Sequence, residues 1–405
     1  MRHPTARRIA QFALTALAFL TCPVWAVSQT TPHRLRISTP VPADIPVTLA
    51  APAGLSPGLY SLKPADGPAI PAVVLSEGEH RSLTFIAGGT SNSTEFTLTP
   101  ASAPTKPEGG VSITSEGSNL KIDINGAPVA VHRIDGPYKP FLFPLLGPSG
   151  QRMTRSYPME KIEGDDTDHP HHESFWFTHG KVNGIDFWDV KKGLIRETAR
   201  KIEAAGPVLG RVRTHDDWIS PDGSKVCEDE RVLTIYNTKG VRILDFDATL
   251  KATDKPVVMG ETKEGSFGLR VASSMDAEHK DKTKPNGQIV NAEGLKDAAA
   301  WGKPSAWVDY SGPIDGKTAG ITILNSPRSF RYPTTWHVRT YGLFAANPFG
   351  GPDFKTPGYG EYTIAPGQSI RFAYRVILHD GAGDPADIAR WFALYAEPPA
   401  ASWGE

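Results

Sequence analysis

Beyond about residue 110 the chain alternates apolar and polar positions with period two, almost to its end. Arg242-Ile243-Leu244-Asp245-Phe246-Asp247-Ala248-Thr249-Leu250 keeps the pattern over nine residues. Residues 120–124, 212–218, 231–236, 321–324 and 370–378 repeat it. Side chains two apart along a strand share a face, so such runs predict strands with one buried side. Asn125-Gly126 after the first of them is the dipeptide of a tight hairpin. One stretch breaks the period. Pro385–Tyr395 has helical spacing, with Asp384 as N-cap and proline at the first turn. Nothing repeats along the chain as a propeller or solenoid would require. The expectation is an all-β domain over 110–397, built from long antiparallel strands. A smaller β-sandwich domain over 27–107 should precede it, with strands at 33–37, 45–49, 72–75, 82–86 and 95–98 punctuated by Gly and Pro. The run 103–110, rich in Pro and Gly, reads as a linker.

Composition narrows the function classes. The 405 residues carry a net charge of −1 and no long block of one sign. Nucleic acid and anionic membrane are therefore not expected as partners. A basic start at Arg2, Arg7 and Arg8, an apolar run from Ile9 to about Leu20, and Val24-Trp25-Ala26 predict a secretory signal peptide over 1–26. That implies a periplasmic or secreted protein, and no later segment is apolar for long enough to span a membrane. Cys22 falls in the leader, so Cys227 has no partner for an internal disulfide and reads as a small buried residue.

The chemistry concentrates in two places. Asp165-Asp166-Thr167-Asp168-His169-Pro170-His171-His172-Glu173-Ser174-Phe175-Trp176-Phe177-Thr178-His179-Gly180 holds four of the twelve histidines beside acids and aromatic rings. Histidine transfers protons near neutral pH and binds metals, and aromatic rings offer a sugar an apolar platform. Were the run extended, His169 and His171 would share one side and His172 the other. A divalent metal held by these histidines with Glu173 or Asp168 is one expectation; metal-free acid–base use is the other. The second place is 325–350, where Trp336, His337, Tyr341 and Asn347 crowd together as loops lining a polyhydroxylated ligand do. Glu264 and Arg270 would share a strand face unless Gly265 or Gly268 forms a bulge. Asp309 lies where a strand runs into a turn. His215 and His379 read as ordinary strand residues.

The segments 168–188 and 336–350 resemble the bacterial family labelled PmoA-like, in the same order, and the resemblance spans roughly 110–397. It departs after His172, where members carry Arg and then Gly against Glu173-Ser174 here, so Glu173 carries over less well than the histidines. The label suggests a copper methane monooxygenase subunit, an integral membrane protein, which a chain with no span beyond its leader cannot be. The resemblance implies instead the β-supersandwich of galactose-mutarotase-like proteins, whose His and Glu act as acid and base on sugars. On this reading His179 and His337 are the expected general acid and base. Trp176, Glu264, Arg270, Asp309, Trp336, Tyr341 and Asn347 would bind the substrate, and His169, His171 and His172 would bind metal or sugar hydroxyls. The expected function is a carbohydrate-active hydrolase, lyase or epimerase taking a small-molecule or oligosaccharide ligand. The alternatives are a non-catalytic glycan-binding protein and a metal-dependent oxidoreductase. All of it requires the two segments to meet.

Overall fold

A computed structural model describes residues 32–404, apart from 43, 88–92, 102–108, 190–191 and 280. The expected leader, Cys22 and most of the expected linker lie outside the described residues.

The alternation from 110 onward folds into two eight-stranded antiparallel sheets. The first runs in the order Trp336–Val338, Leu343–Ala346, Gly265–Arg270, Phe175–His179, Phe141–Leu145, Ala127–Arg133, Asn119–Ile124, Val111–Glu116. The second runs Leu194–Ala204, Leu209–Ile219, Lys225–Tyr236, Val241–Lys251, Ser369–Asp380, Lys317–Asn325, Trp307–Ile314, Gln288–Asn291. Their inner faces interlock through aromatic contacts, with ring centroids 5.5 Å apart for Phe175–Phe246, 5.2 Å for Phe177–Phe372 and 4.5 Å for Phe267–Tyr374. This is a large antiparallel β-sandwich, as the period-two pattern requires. The hairpin at Asn125-Gly126 forms with both residues at positive φ, 52° and 79°. Cys227 is fully buried, and burial pushes its thiol well above the ordinary range.

The N-terminal strands form one seven-stranded sheet with its own core around Leu62, Val74, Leu83 and Leu98. Its edge strand is Ala401–Gly404, which returns from the far end of the chain to pair with His33–Ile37. The helix, Pro385–Ala396, is capped as expected by Asp384, whose carboxylate accepts from the Ala386 and Asp387 amides. Ile388 and Tyr395 of that helix pack with Val73 and Leu75 of the small sheet and Ile243 and Ile377 of the large one. The small domain is therefore fastened to the sandwich rather than held off by a spacer.

Candidate functional site

Register decides which side chains face out. In the first sheet Phe175, Phe177, Phe267 and Leu269 enter the core, and the intervening Trp176 and Arg270 take the opposite face. Trp176 pairs with Gly268 and His179 with Gly265, with no register shift between the strands. The glycines are therefore not bulges. A Cβ on Gly268 would lie 2.8 Å from the Trp176 ring, and one on Gly265 would lie 2.3 Å from His179 Nδ1. Glycine is needed because two large rings lie flat over the neighbouring strand.

The histidine run is not extended. His169 has φ 44° and Ser174 has φ 61°, and the His172 amide donates to the His169 carbonyl at 3.0 Å. These turns fold the run back on itself, so His169 and His171 do not share one strand face away from His172. His169 instead stacks on His172 at 4.8 Å and on Tyr341 at 5.5 Å, and His172 stacks on Trp176 at 5.3 Å. Tyr341, His169, His172 and Trp176 thus make one column of rings. The His171 ring stands edge-on to the His172 ring at 4.5 Å.

Charge fixes the column in place. Asp168 Oδ1 accepts from Arg155 Nη1 at 2.5 Å and Arg270 Nη2 at 3.1 Å, and both guanidinium groups are fully buried. The other oxygen, Oδ2, lies 2.9 Å from His169 Nδ1. Burial raises the Asp168 pKa, but Arg270, Arg155 and His169 outweigh it and hold the carboxyl below its ordinary value. Arg270 Nη1 donates to His172 Nδ1 at 3.2 Å, which requires that nitrogen to be unprotonated. Burial, with His171 and Arg270 nearby, keeps His172 well below the ordinary histidine range. Lys139 Nζ bonds Glu173 Oε2 at 2.6 Å, both side chains being buried, so Glu173 is held as an ion-pair partner rather than offered to a ligand. Arg155 and Lys139 lie far from the motif in sequence and give no signal there.

At the surface end the imidazole of His169 is 40% exposed and the Asp168 carboxylate 31%. Tyr341, which stacks on His169, lies within the electrostatic reach of Arg339, Arg270, Glu264 and Asp168. Burial raises the Glu264 pKa, and the Lys263 and Arg339 charges oppose the rise.

His179 and His337 behave differently. His179 shares the core-facing side with Phe175 and Phe177, and His337 lies on the side opposite its core neighbours Trp336 and Val338. Each is buried and bonded to a backbone carbonyl, His179 Nε2 to Gly260 at 2.8 Å and His337 Nδ1 to Lys263 at 2.7 Å. Burial lowers their pKa values to about 4 and about 3, so both are neutral and donate these bonds. Asn347 Nδ2 donates to the Thr262 carbonyl at 2.8 Å, and the Gly180 amide to the Glu264 carbonyl at 2.6 Å. The two distant segments do meet, but on the loop 260–264. What they hold there is the loop that carries Glu264. A shared cavity between His179 and His337 is not what the register gives, and the expectation of a general acid–base pair is corrected to a positioning role.

Three further expectations change. Trp336 is fully buried, with Nε1 donating to the Ser305 carbonyl, and Trp176 is 2% exposed under His172, so neither offers a face for a sugar to stack on. Asp309 belongs to the second sheet, where it binds the Thr322 hydroxyl at 2.7 Å and His379 Nε2 at 2.9 Å. It is a buried structural acid. No group of three or more His, Cys, Asp or Glu side chains among the described residues could hold a metal ion. The rings of His169, His171 and His172 pack against one another instead of converging their nitrogens, so the residues do not fit the divalent metal site expected of them.

Beneath Trp176 a cavity of about 30 Å³ lies between the sheets, with His132, Thr214 and Arg231 among its lining. It has room for a water or two rather than a sugar ring. Among the described residues no helix is long and apolar enough to cross a membrane.

The molecule is thus a large antiparallel β-sandwich with a histidine- and arginine-rich site on the outer face of one sheet. It belongs to the family of unknown function DUF6807, whose model matches residues 119–393. No curated protein matches it. Among solved structures it is similar to a glycosyl hydrolase family 38 protein of Enterococcus faecalis, with TM-score 0.41 and 11% identity, over 92% of this chain and 47% of that one. It is also similar to a family 36 α-galactosidase of Geobacillus stearothermophilus, with TM-score 0.34 and 9% identity, over 67% and 41% of the two chains. An α-galactosidase of Lactobacillus brevis gives 0.35 and 9%, over 72% and 42%. The chain spans less than half the length of these structures.

Proposed function

We propose that the protein is a periplasmic or secreted carbohydrate-active enzyme that moves a proton on a saccharide or sugar derivative through His169. One observation carries this reading. His169 is a solvent-exposed imidazole whose Nδ1 faces a carboxylate fixed by two buried arginines, which leaves Nε2 free for a ligand. A carboxylate on one ring nitrogen sets the tautomer and stabilises the imidazolium that forms when the other nitrogen takes a proton. The ring is clamped between His172 and Tyr341, so little reorganisation accompanies transfer. Glu264, a half-buried acid with a raised pKa, is the second proton-transfer group, and a hydrolase, lyase or epimerase needs such a pair. The polar rim of Tyr341, Arg339, Lys263 and Glu264 supplies donors and acceptors suited to hydroxyl groups. The leader at 1–26 supports the location, and the motifs that resemble the PmoA-like family are the ones that build this site.

The test is calorimetric titration with neutral, acidic and keto sugars, followed by chromatography of the mixtures for products. Wild type is expected to bind and convert at least one of them, and His169→Gln to lose conversion while melting as wild type does. Binding with no conversion of any bound sugar would make this a glycan-binding surface and overturn the enzymatic reading. Conversion unaffected by His169→Gln would remove the residue from the chemistry.

A further inference from the structure

Every buried cation around the ring column is matched to a carboxylate. Arg155 and Arg270 share Asp168, and Lys139 pairs with Glu173. Arg339 is the exception. Its guanidinium carbon sits 5.5 Å from the Trp301 ring centroid and 5.4 Å from that of Tyr341, and its side chain makes no hydrogen bond or ion pair with any described residue. Two aromatic rings hold the group by cation–π attraction and leave its N–H donors unused. Its backbone is equally fixed. The Tyr310 hydroxyl lies 3.2 Å from the Arg339 carbonyl and 3.0 Å from the Thr340 carbonyl, and the Gly342 amide donates to the Arg339 carbonyl at 3.0 Å. Gly342 has φ 93°, and a Cβ there would lie 2.5 Å from Asp276 Oδ1, so the turn after Arg339 admits only glycine. A partly buried, rigidly mounted guanidinium with free donors is arranged for a planar anion, which it binds with two parallel hydrogen bonds.

We infer that Arg339 anchors a carboxylate of the ligand, so that the saccharide this site takes is an acidic one, a uronate-type sugar or oligosaccharide. The inference rests on the saccharide reading above and names its substrate class. A carboxylate on Arg339 lies beside Tyr341, whose ring stacks on His169, and so brings the sugar to the exposed imidazole. Burial pushes the Glu264 carboxyl above its ordinary value, and the Lys263 and Arg339 charges oppose that rise.

The experiment is isothermal titration of the full chain, as wild type, Arg339→Ala and Arg339→Lys, with three probes. These are a galacturonate oligosaccharide, its neutral galactose counterpart and a sulfated one. The galacturonate probe should bind wild type most tightly. Arg339→Ala should weaken it at least about tenfold, as expected for loss of a charge-assisted bond, and weaken the neutral probe by much less. Arg339→Lys should fall between, because lysine keeps the charge without the planar pair of donors. Equal binding of acidic and neutral probes, insensitive to both substitutions, would overturn the carboxylate anchor and leave the saccharide reading standing. Tighter binding of the sulfated probe would assign Arg339 to another anion. Failure of all three probes to bind would remove the saccharide reading itself, and the inference with it.

Discussion

His169 and His337 belong to the same end of one sheet, yet their surroundings make them opposites. His337 is buried, bonded to a carbonyl and neutral, because desolvation costs the imidazolium more than the carbonyl returns. His169 keeps nearly half its surface in water and has a fixed carboxylate on one nitrogen. The first serves geometry and the second can serve chemistry. The lesson is that a histidine-rich motif gathers residues without assigning their tasks. Strand register sends His179 toward the core, and the turns at His169 and Ser174 fold His169 back toward solvent.

The largest expected effect sharpens this contrast. His169→Gln should lower turnover of whatever sugar the protein converts by about 10²–10⁴-fold, the usual worth of a general acid–base group, with little change in melting temperature. His337→Gln should show the reverse, a loss of stability greater than its direct loss of rate. Steady-state kinetics beside thermal melts would read both, and similar kinetic losses with unchanged melts would erase the distinction.

Next in size is the buried pair beneath the column. Lys139→Met strands the Glu173 carboxylate and should cost about 3–5 kcal/mol in urea unfolding. Pairing it with Glu173→Leu should recover most of that, because two apolar side chains need no compensating charge. If the single substitution costs no more than the double, the pair does not stabilise the site.

Smaller still is the effect on the loop 260–264. His179→Ala or His337→Ala removes one partner of a buried carbonyl, worth about 1–3 kcal/mol. Hydrogen exchange at Lys263 and Glu264 should rise in either variant, while the 165–174 turns stay as protected as before. Unchanged exchange at the loop would mean that these histidines do not hold it.

The smallest effect is on pH dependence. Between about pH 6.5 and 4 the unfolded chain protonates histidines that native His179 and His337, at about 4 and about 3, leave neutral. The unfolded state then binds more protons, so these two residues lose their stabilising effect as pH falls through that window. Asp276, raised to about 7 chiefly by burial, works the other way, since the native state holds its proton from about 7 down to the ordinary 3.8. Melting of His337→Asn should therefore fall less between pH 6.5 and 4.5 than that of wild type. An equal or steeper fall would mean that native His337 takes up protons in that range.

Strands such as Asn119–Ile124 and Val241–Lys251 were legible because burial of one face imposes period two, and the helix because Asp384 and Pro385 mark its start; Gly265–Arg270, buried on both faces, shows no such alternation. The strand Ala401–Gly404 was not, since four residues after Pro398-Pro399 carry too little pattern. Its place is set by the chain's first strand and by Trp403, whose Nε1 donates to the Ala50 carbonyl. At the site, the two motifs do come together in space, but several of their members take places other than those expected. Proline at 170 is incompatible with a helix interior, yet the left-handed turn at His169 that stacks the rings has no signature among so many polar residues. Arg155 and Lys139 were invisible, because an ion pair closed across the chain leaves no local trace. Gly265 and Gly268 suggested a bulge when each makes room for a ring. Arg339 stood inside the second motif, and what singles it out is a guanidinium with no bonded carboxylate, which a sequence cannot display.

The central claim is that ligand meets His169 and does not meet His179 or His337. Carbethoxylation of the native protein, mapped by mass spectrometry with and without a sugar that binds, tests this residue by residue. The account predicts that His169 is modified in the free protein and protected by the ligand, while His179 and His337 stay unmodified throughout. Modification of His169 at the same rate with ligand bound, or ligand-dependent protection of a reactive His179 or His337, would contradict it.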